Sequence, residues 1–270
     1  MKDDFKNKYG PWALIAGAAE GLGESFAVTL AARGLNVVMI DRNDECMRNV
    51  AERIRREFPV NVICLNLDLA IGNAEEMIMD TIETIDCRLL VYNAAFSRVA
   101  PFLFQSLESI DQYIRVNCRT MIRLVHRFSG HLAGMGKGGG ILIMSSLAGL
   151  IGSQLLAPYA ATKAFGALLA ESLSYELNPY HIDVLACLAG PTDTPGFRAS
   201  APHISGFIPR IHHPDFVAQR ALDQLGKRIL FIPGIYNRLG YAFLLRTMPR
   251  KLASKIVNGT IMKIYSDKLL

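Results

Sequence analysis

The sequence has little cysteine, and its five cysteines are widely scattered. They form no C-x-x-C pair and their number is odd. Such a set predicts neither a disulfide framework nor a cysteine-type zinc site. We therefore expect a protein of a reducing compartment, which means a cytoplasmic location.

The sequence also lacks the marks of a fibrous, disordered or membrane-spanning protein. Its 22 glycines and 12 prolines follow no period, and 51% of its 270 residues are hydrophobic. The uncharged run at 138–162 is long enough to span a bilayer, but its glycines, serines and proline argue against a membrane helix. The composition predicts a compact globular chain.

Apolar runs alternate with segments of helical spacing. Predicted strands are Trp12–Ala16, Asn36–Ile40, Val60–Leu65, Leu89–Tyr92, Ile141–Met144 and Ile182–Cys187, and predicted helices are Ser25–Arg33, Asp44–Phe58, Ala74–Ile85, Ile110–Ala133 and Tyr159–Leu177. Strict alternation is typical of βαβ units. The predicted fold is α/β, a doubly wound Rossmann-type parallel sheet in a single domain over residues 1–270. We expect a ligand at the carboxyl ends of its strands.

The alternation stops after the sixth strand. Ala189–Pro214 holds five prolines and three histidines and is too irregular to predict a helix or strand, so residues 189–228 are interpreted as a substrate lid. Apolar residues in this lid favour an apolar ligand: Ile204, Phe207, Ile208, Ile211 and Phe216. Its histidines, His203, His212 and His213, lack further ligands at metal-binding spacing, so no metal is expected.

Acidic residues are scarce in the last part of the chain. The formal charge is +5 overall, yet residues 201–270 hold 11 Lys and Arg against 3 Asp and Glu. A seventh strand is predicted at Ile229–Ile232, and residues 234–270 read as a basic amphipathic helical extension broken near Pro249. This extension either packs on the core with a solvated basic face or contacts an anionic membrane or substrate tail. We expect no nucleic-acid partner.

Glycines follow the first predicted strand in a pattern suited to phosphates. Gly17, Gly21 and Gly23 allow a tight turn, close approach of the backbone to a pyrophosphate, and packing of the next helix, whose N-terminus favours negative charge. No G-K-[ST] follows, which argues against a P-loop. The motif indicates a dinucleotide site.

Asp41 ends the second predicted strand, where an acidic side chain accepts hydrogen bonds from an adenosine ribose and repels a 2′-phosphate. This favours NAD. The next residue, Arg42, can pair with a 2′-phosphate, so NADP remains possible. A plainer interpretation is a solvated turn that caps the following helix through Asn43 or Asp44.

A tyrosine and a lysine four residues apart, Tyr159 and Lys163, share one face of a predicted helix. An ammonium group beside a phenol stabilises the phenolate and lowers the tyrosine pKa, so the pair can relay a proton. Ser145 and Ser146 end a predicted strand at the ligand-binding edge. The alternative to a proton relay is an exposed helix in which this spacing occurs by chance.

Taken together, the glycine turn, Asn93-Ala94-Ala95, Asn117, the paired serines and Tyr-x-x-x-Lys resemble the short-chain dehydrogenase/reductase family over roughly residues 12–194. The resemblance implies catalytic roles for four residues, with Tyr159 as general acid/base, Lys163 lowering its pKa, Ser146 polarising a carbonyl and Asn117 holding a water. It implies cofactor contacts for Gly17, Gly21, Leu22, Gly23, Asp41, Arg42, Asp68, Leu69, Asn93, Ala94, Tyr159, Lys163, Gly190, Thr192 and Thr194. It also implies a homodimer or homotetramer.

The implied activity is NAD(P)-dependent hydride transfer between nicotinamide and a carbonyl or secondary alcohol, on an apolar substrate such as a lipid, steroid or acyl ketone. Three positions depart from the family pattern, Ala16, Ala95 and Ala189, and none removes a catalytic group. Two other functions stay open: a cofactor-binding regulatory protein without turnover, and an epimerase or isomerase that retains NAD.

Overall fold

A seven-stranded sheet forms the centre of the molecule. The computed structural model describes residues 2–202 and 209–268. The strands are β1 (Trp12–Ala16), β2 (Asn36–Asp41), β3 (Val62–Asn66), β4 (Cys87–Tyr92), β5 (Gly139–Ser146), β6 (Ile182–Ala189) and β7 (Leu230–Phe231). All pair in parallel in the order β3-β2-β1-β4-β5-β6-β7. The predicted doubly wound sheet is confirmed, and its switch point lies between β1 and β4.

Helices cover both faces of the sheet. They are α1 (Lys2–Tyr9), α2 (Gly21–Ala32), α3 (Asp44–Glu57), α4 (Ala74–Ile82), α5 (Leu107–Ile114), α6 (Met121–Met135), α7 (Ala157–Glu176), α8 (Pro195–Ala199), α9 (Pro214–Gln224), α10 (Ile235–Thr247) and α11 (Arg250–Ile264). One apolar cluster joins the sheet to α2, α3 and α9, and a second joins its other face to α4, α6 and α7. The five inner strands, β1, β2, β4, β5 and β6, are buried on both faces, which explains their nearly continuous apolar sequences.

Three local differences from the sequence predictions have physical causes. β5 extends from Gly139 to Ser146 because main-chain pairing with β6 continues through small and polar residues that an apolar pattern does not reveal. The helix predicted at 110–133 is interrupted by a π-helical turn, Arg115–Thr120, between α5 and α6. α1 has no apolar periodicity strong enough to predict it, and Tyr9 anchors it by donating a hydrogen bond to Asp183.

The expectation that Ala189–Pro214 contains no regular element is wrong. α8 forms there because Thr194 caps its N-terminus, accepting a hydrogen bond from the Phe197 amide, and Pro195 suits the first helical position. Thr192 also forms a parallel bridge with His212. His203, Ile204, Phe207 and Ile208 lie outside the described residues.

The extension after β7 consists of α10 and α11, which meet at Pro249. Its inner side packs on the body of the protein, where Ala253 and Val257 of α11 join Ile151 in an apolar cluster. In the described part of the chain, no helix has both the length and the apolar character needed to cross a membrane.

Candidate active site

The glycine-rich turn after β1 packs so tightly against its neighbours that no side chain would fit at Gly17 or Gly23. Gly17 has φ +82°, and a Cβ there would lie 2.7 Å from the Ala94 nitrogen. A Cβ at Gly23 would lie 1.7 Å from the Gly17 carbonyl oxygen. Asn93 ties the turn to the end of β4 by donating its side-chain amide to the Gly17 carbonyl at 2.7 Å. The turn is therefore a rigid cradle at the N-terminus of α2, which suits a pyrophosphate.

A cleft of about 390 Å³ runs from this turn along the carboxyl ends of β1, β2 and β4. Its volume is in the range of small-molecule sites. Predicted cofactor residues that line it are Gly17, Gly21, Leu22, Asp41, Arg42, Asp68, Leu69, Asn93, Ala94 and Thr194, together with residues that the sequence did not single out, such as Glu20, Phe96 and Gln112. Gly23 lies beneath the turn rather than in the cleft wall. The shape and lining fit a dinucleotide.

Asp41 stands where the cleft passes the end of β2. Its two carboxylate oxygens accept hydrogen bonds from the main-chain amides of Ala19 and Asn43, each at 3.0 Å. One carboxylate therefore supports the glycine turn as well as the adjoining wall. The side chain of Asn43 caps α3 through the Cys46 amide, so the capping interpretation of this turn holds for Asn43. The helix cap does not compete with a ligand in the cleft for Asp41, because the cap is made by the side chain of Asn43.

Tyr159 and Lys163 lie one turn apart near the start of α7, which begins at Ala157 with Pro158 in its first turn. The Lys163 ammonium nitrogen is 5.6 Å from the centre of the Tyr159 ring and donates a hydrogen bond to the Met144 carbonyl at 2.7 Å. Lys163 is only 7% exposed. Its burial lowers the lysine pKa to about 8.

The pKa of Tyr159 is raised in this structure, not lowered as the sequence predicted. Burial is the largest cause and brings it to about 12, while the neighbouring Ser146 hydroxyl opposes the rise. Loss of hydration disfavours the phenolate, and the Lys163 ammonium is directed to Met144 instead of the phenol oxygen. Tyr159 therefore holds its proton at neutral pH and is set up to donate it.

Ser145 and Ser146 end β5 directly beside α7. Ser145 donates a hydrogen bond to the Lys163 carbonyl at 2.7 Å, which fixes the lysine-bearing turn against the sheet. The Ser146 oxygen accepts from the Ala148 amide at 3.2 Å, which leaves its proton free for another acceptor. The two serines therefore differ: Ser145 is structural, and Ser146 presents a donor toward Tyr159.

Asn117 lies in the π-helical turn between α5 and α6, and its side chain is fully engaged. Its oxygen accepts from the Phe96 amide, and its nitrogen donates to the Phe96 carbonyl and to the Thr162 hydroxyl. It thereby joins the cleft wall at Phe96 to the residue next to Lys163. The side-chain amide of Asn117 is thus bonded to protein groups in this structure, and the water that the resemblance assigns to Asn117 stays a prediction.

The segment after β6 brings Thr194 to the glycine turn but places Gly190 and Thr192 elsewhere. A Cβ at Gly21 would touch the Thr194 side chain at 3.0 Å. Gly190 packs against Asn237 of α10, and the Thr192 hydroxyl donates to the Gly190 carbonyl. Thr194 thus belongs to the cleft, whereas Gly190 and Thr192 shape the segment that leads to it.

One wall of the site comes from the end of the C-terminal extension and was not predicted from the sequence. Ile264 and Tyr265 form a buried apolar cluster with Leu155 and Leu156, and Tyr159 packs against it. The Tyr265 hydroxyl lies 3.2 Å from the Ser200 oxygen, just after α8. No motif marks Tyr265, and the only local signal is the apolar spacing of α11.

Comparisons with known proteins agree with this geometry. A family model for short chain dehydrogenases matches residues 11–204. The 7beta-hydroxysteroid dehydrogenase of Clostridium sardiniense is 30% identical over 235 residues, which are 87% of this chain and 90% of that protein.

Two solved structures resemble the fold closely. One, from a study of 7beta-hydroxysteroid dehydrogenase stereoselectivity, superposes with a TM-score of 0.86 at 26% identity and covers 94% of this chain and 98% of its own. The other, a short-chain dehydrogenase from Sphingobium yanoikuyae in complex with NADPH, has a TM-score of 0.76 at 26% identity and covers 89% and 97%. The family match and the fold confirm the resemblance seen in the sequence: the chain belongs to the short-chain dehydrogenase/reductase family and is an NAD(P)-dependent oxidoreductase.

Proposed function

We propose that this enzyme interconverts a bulky apolar ketone and its secondary alcohol. The observation that carries the proposal is the position of Tyr159, which lies close to Ser146 and Lys163 and packs against a buried apolar cluster. A nicotinamide dinucleotide, when bound, supplies or accepts the hydride. A steroid-like substrate is supported by the apolar cluster and by the name of the Clostridium sardiniense relative.

In ketone reduction, Tyr159 donates its phenolic proton to the substrate oxygen. The Ser146 hydroxyl donates a hydrogen bond to the same oxygen and stabilises the negative charge that develops there. The Lys163 ammonium, which bonds the Met144 carbonyl and lies 5.6 Å from the centre of the Tyr159 ring, would favour the remaining tyrosinate through its charge alone, without a direct hydrogen bond. In alcohol oxidation the tyrosinate accepts the hydroxyl proton. Asn117 acts as a positioning residue, because it bonds both Phe96 in the cleft wall and Thr162 next to Lys163.

The proposed cofactor contacts are based on the residues that line the cleft. The main chain at Gly17, Gly21 and Leu22 would hold the pyrophosphate, with Gly23 required beneath it. Asp41 and Arg42 would meet the adenosine ribose, Asp68 and Leu69 the adenine, and Asn93, Ala94 and Thr194 the nicotinamide half. Gly190 and Thr192 would support Thr194.

A fluorescence titration with NADH and NADPH, followed by a panel of ketones and alcohols with the preferred cofactor, tests the proposed activity. We expect turnover of at least one polycyclic ketone, with spectrophotometric consumption of the reduced cofactor. Binding of cofactor without turnover of any carbonyl or alcohol would favour the regulatory alternative. Product with unchanged oxidation level and tightly retained NAD would favour the epimerase.

We propose NAD as the preferred cofactor, with NADP as the competing form. The Asp41 carboxylate is held by two main-chain amides in the cleft wall, where it would repel a 2′-phosphate. Asp41→Asn removes the charge, and we expect the NADPH to NADH affinity ratio to rise about tenfold or more. Asp44→Asn, a nearby carboxylate on α3, is the matched control and leaves the ratio unchanged. Equal affinity ratios for wild type and Asp41→Asn would contradict the assignment.

Tyr265 is proposed as a wall of the substrate pocket. Tyr265→Ala removes a buried ring from the cluster beside Tyr159 and the contact with Ser200, so we expect kcat/KM for a polycyclic ketone to fall about tenfold or more, mainly through KM. NADH affinity stays the same, since Tyr265 does not line the dinucleotide cleft. Tyr236→Ala, an exposed tyrosine of the same extension, is the control. An unchanged KM in Tyr265→Ala would remove this residue from the pocket.

We also propose a cytoplasmic homodimer or homotetramer that pairs through α6 and α7. Ile122 of α6 and Phe165, Leu168 and Tyr175 of α7 are exposed large side chains, and Leu168 is 66% exposed. Such side chains are typical of helices that pack against a second subunit. Light scattering combined with size-exclusion chromatography measures the mass directly.

A further inference from the structure

The outer side of α10 is apolar, although it points away from the protein. Asn237, Tyr241 and Leu244 form the inner stripe of this helix and are buried or partly buried. Ile235, Leu239 and Phe243 recur at four-residue spacing on the opposite side of the same helix and are 54%, 60% and 57% exposed. An exposed apolar stripe of this kind normally has a binding partner.

α11 has the same organisation with lysines added. Ala253, Val257 and Ile264 face the body of the protein and are buried. On the other side, Leu252 and Ile256 are exposed beside Lys251, Lys255 and Lys263. We call the outward apolar and basic side chains of these two helices the α10–α11 face.

The positive charges of this face have no ion-pair partner in the part of the chain that the structure describes. No Asp or Glu occurs between Gln224 and Ser266 in the sequence. Within residues 2–202 and 209–268, none of Arg246, Arg250, Lys251, Lys255 and Lys263 forms an ion pair, whereas arginines elsewhere, such as Arg48, Arg53 and Arg127, each meet a carboxylate. Among the described residues, the face therefore offers several cations with no carboxylate paired to them.

We propose that the α10–α11 face binds the surface of an anionic lipid bilayer. Apolar side chains flanked by lysines match the boundary between acyl chains and anionic headgroups. A second copy of the chain fits less well, because a symmetric contact would place these unpaired cations against one another. A nucleic acid would leave the apolar stripe unused.

The position of this face links it to the catalytic cleft. The inner side of α11 leads to Ile264, and the following Tyr265 completes the cluster beside Tyr159. The bilayer would thus lie behind the helix that walls the proposed substrate pocket. Membrane binding itself needs neither cofactor nor substrate, so it stands or falls independently of the proposed ketone reduction.

Sedimentation with vesicles of phosphatidylcholine, with and without phosphatidylserine, tests the proposal on the full chain. We expect binding only to the vesicles that contain phosphatidylserine, and weaker binding as salt is raised. The triple variant K251Q/K255Q/K263Q should bind about a hundredfold more weakly. L239S/F243S should also lose binding. The matched control, R48Q/R53Q/R56Q, removes three charges from α3 at the other edge of the sheet and should bind like wild type.

Three results would overturn the proposal. The first is a wild-type protein that does not sediment with anionic vesicles. The second is an equal loss in the α11 and α3 triple variants, which would mean that net charge alone drives the binding. The third is a wild-type oligomer that L239S/F243S converts to a smaller species in analytical ultracentrifugation without affecting vesicle binding, which would assign the face to a second copy.

Discussion

Tyr159→Phe is expected to reduce ketone turnover by about a thousandfold while NADH affinity stays within about twofold of wild type. The substitution removes only the phenolic oxygen, which is the group that donates the proton in the proposed reaction. The ring keeps its packing against Leu155, Leu156 and Tyr265, so the fold and its thermal midpoint should not change. Stopped-flow or steady-state absorbance of the reduced cofactor measures the loss.

Tyr180→Phe is a matched control, because it removes the hydroxyl of an exposed tyrosine that follows the same helix. It should leave turnover unchanged. A Tyr159→Phe protein that turns over the ketone at the wild-type rate would rule out Tyr159 as the acid. A variant that loses cofactor binding as well would mean that the hydroxyl acts on binding and not on proton transfer.

The pH dependence follows from the pKa values of this tyrosine and its lysine. Because burial raises the Tyr159 pKa to about 12, the phenol is protonated at neutral pH and is available as an acid. Alcohol oxidation needs the tyrosinate, so its rate should rise with pH across the neutral and mildly basic range. Ketone reduction should fall above about pH 8, where Lys163 loses the charge that favours the tyrosinate. An oxidation rate that falls as pH rises, or a reduction rate that rises above about pH 8, would contradict the proposed roles of Tyr159 and Lys163.

Gly23→Ala is expected to destabilise the protein by more than about 3 kcal/mol and to weaken dinucleotide binding at least a hundredfold. The new Cβ would lie 1.7 Å from the Gly17 carbonyl oxygen. Since that oxygen is a main-chain atom already bonded to Asn93, the turn cannot move without losing the hydrogen bond that joins it to β4. Denaturant unfolding gives the stability, and fluorescence titration of NADH gives the affinity.

Gly130→Ala provides the comparison. Gly130 lies within α6, and a Cβ there meets nothing within 4 Å. Alanine has the higher helix propensity, so this variant should be more stable by up to about 1 kcal/mol and should bind NADH normally. If Gly23→Ala behaves like Gly130→Ala, the close contact beneath the turn is not required, and the proposed role of Gly23 is wrong.

Much of the fold is predictable because its signals are local. The parallel sheet shows itself in apolar runs that alternate with helical spacing, since strands buried on both faces need apolar residues throughout. The glycine turn is equally local, because the positive φ of Gly17 and Gly21 excludes most other residues. Elements with weak local signals were missed: α1 depends on the anchoring of Tyr9, and α8 on a cap within a proline-rich segment.

For the catalytic group, the spacing of Tyr159 and Lys163 already places them on one helix face, because that relation depends only on helical geometry. Their protonation depends on burial by distant residues, and there the sequence prediction for the tyrosine pKa was wrong in direction.

The sequence by itself thus determined the sheet, the glycine cradle and the tyrosine–lysine pair, since each is encoded by neighbouring residues and backbone geometry. Only the tertiary structure decided that Asn117 clamps Phe96, that Asp41 supports the turn, and that Tyr265 walls the site beside Tyr159. These contacts join residues far apart in the chain. They arise from how the elements pack, and no local period or spacing records that packing.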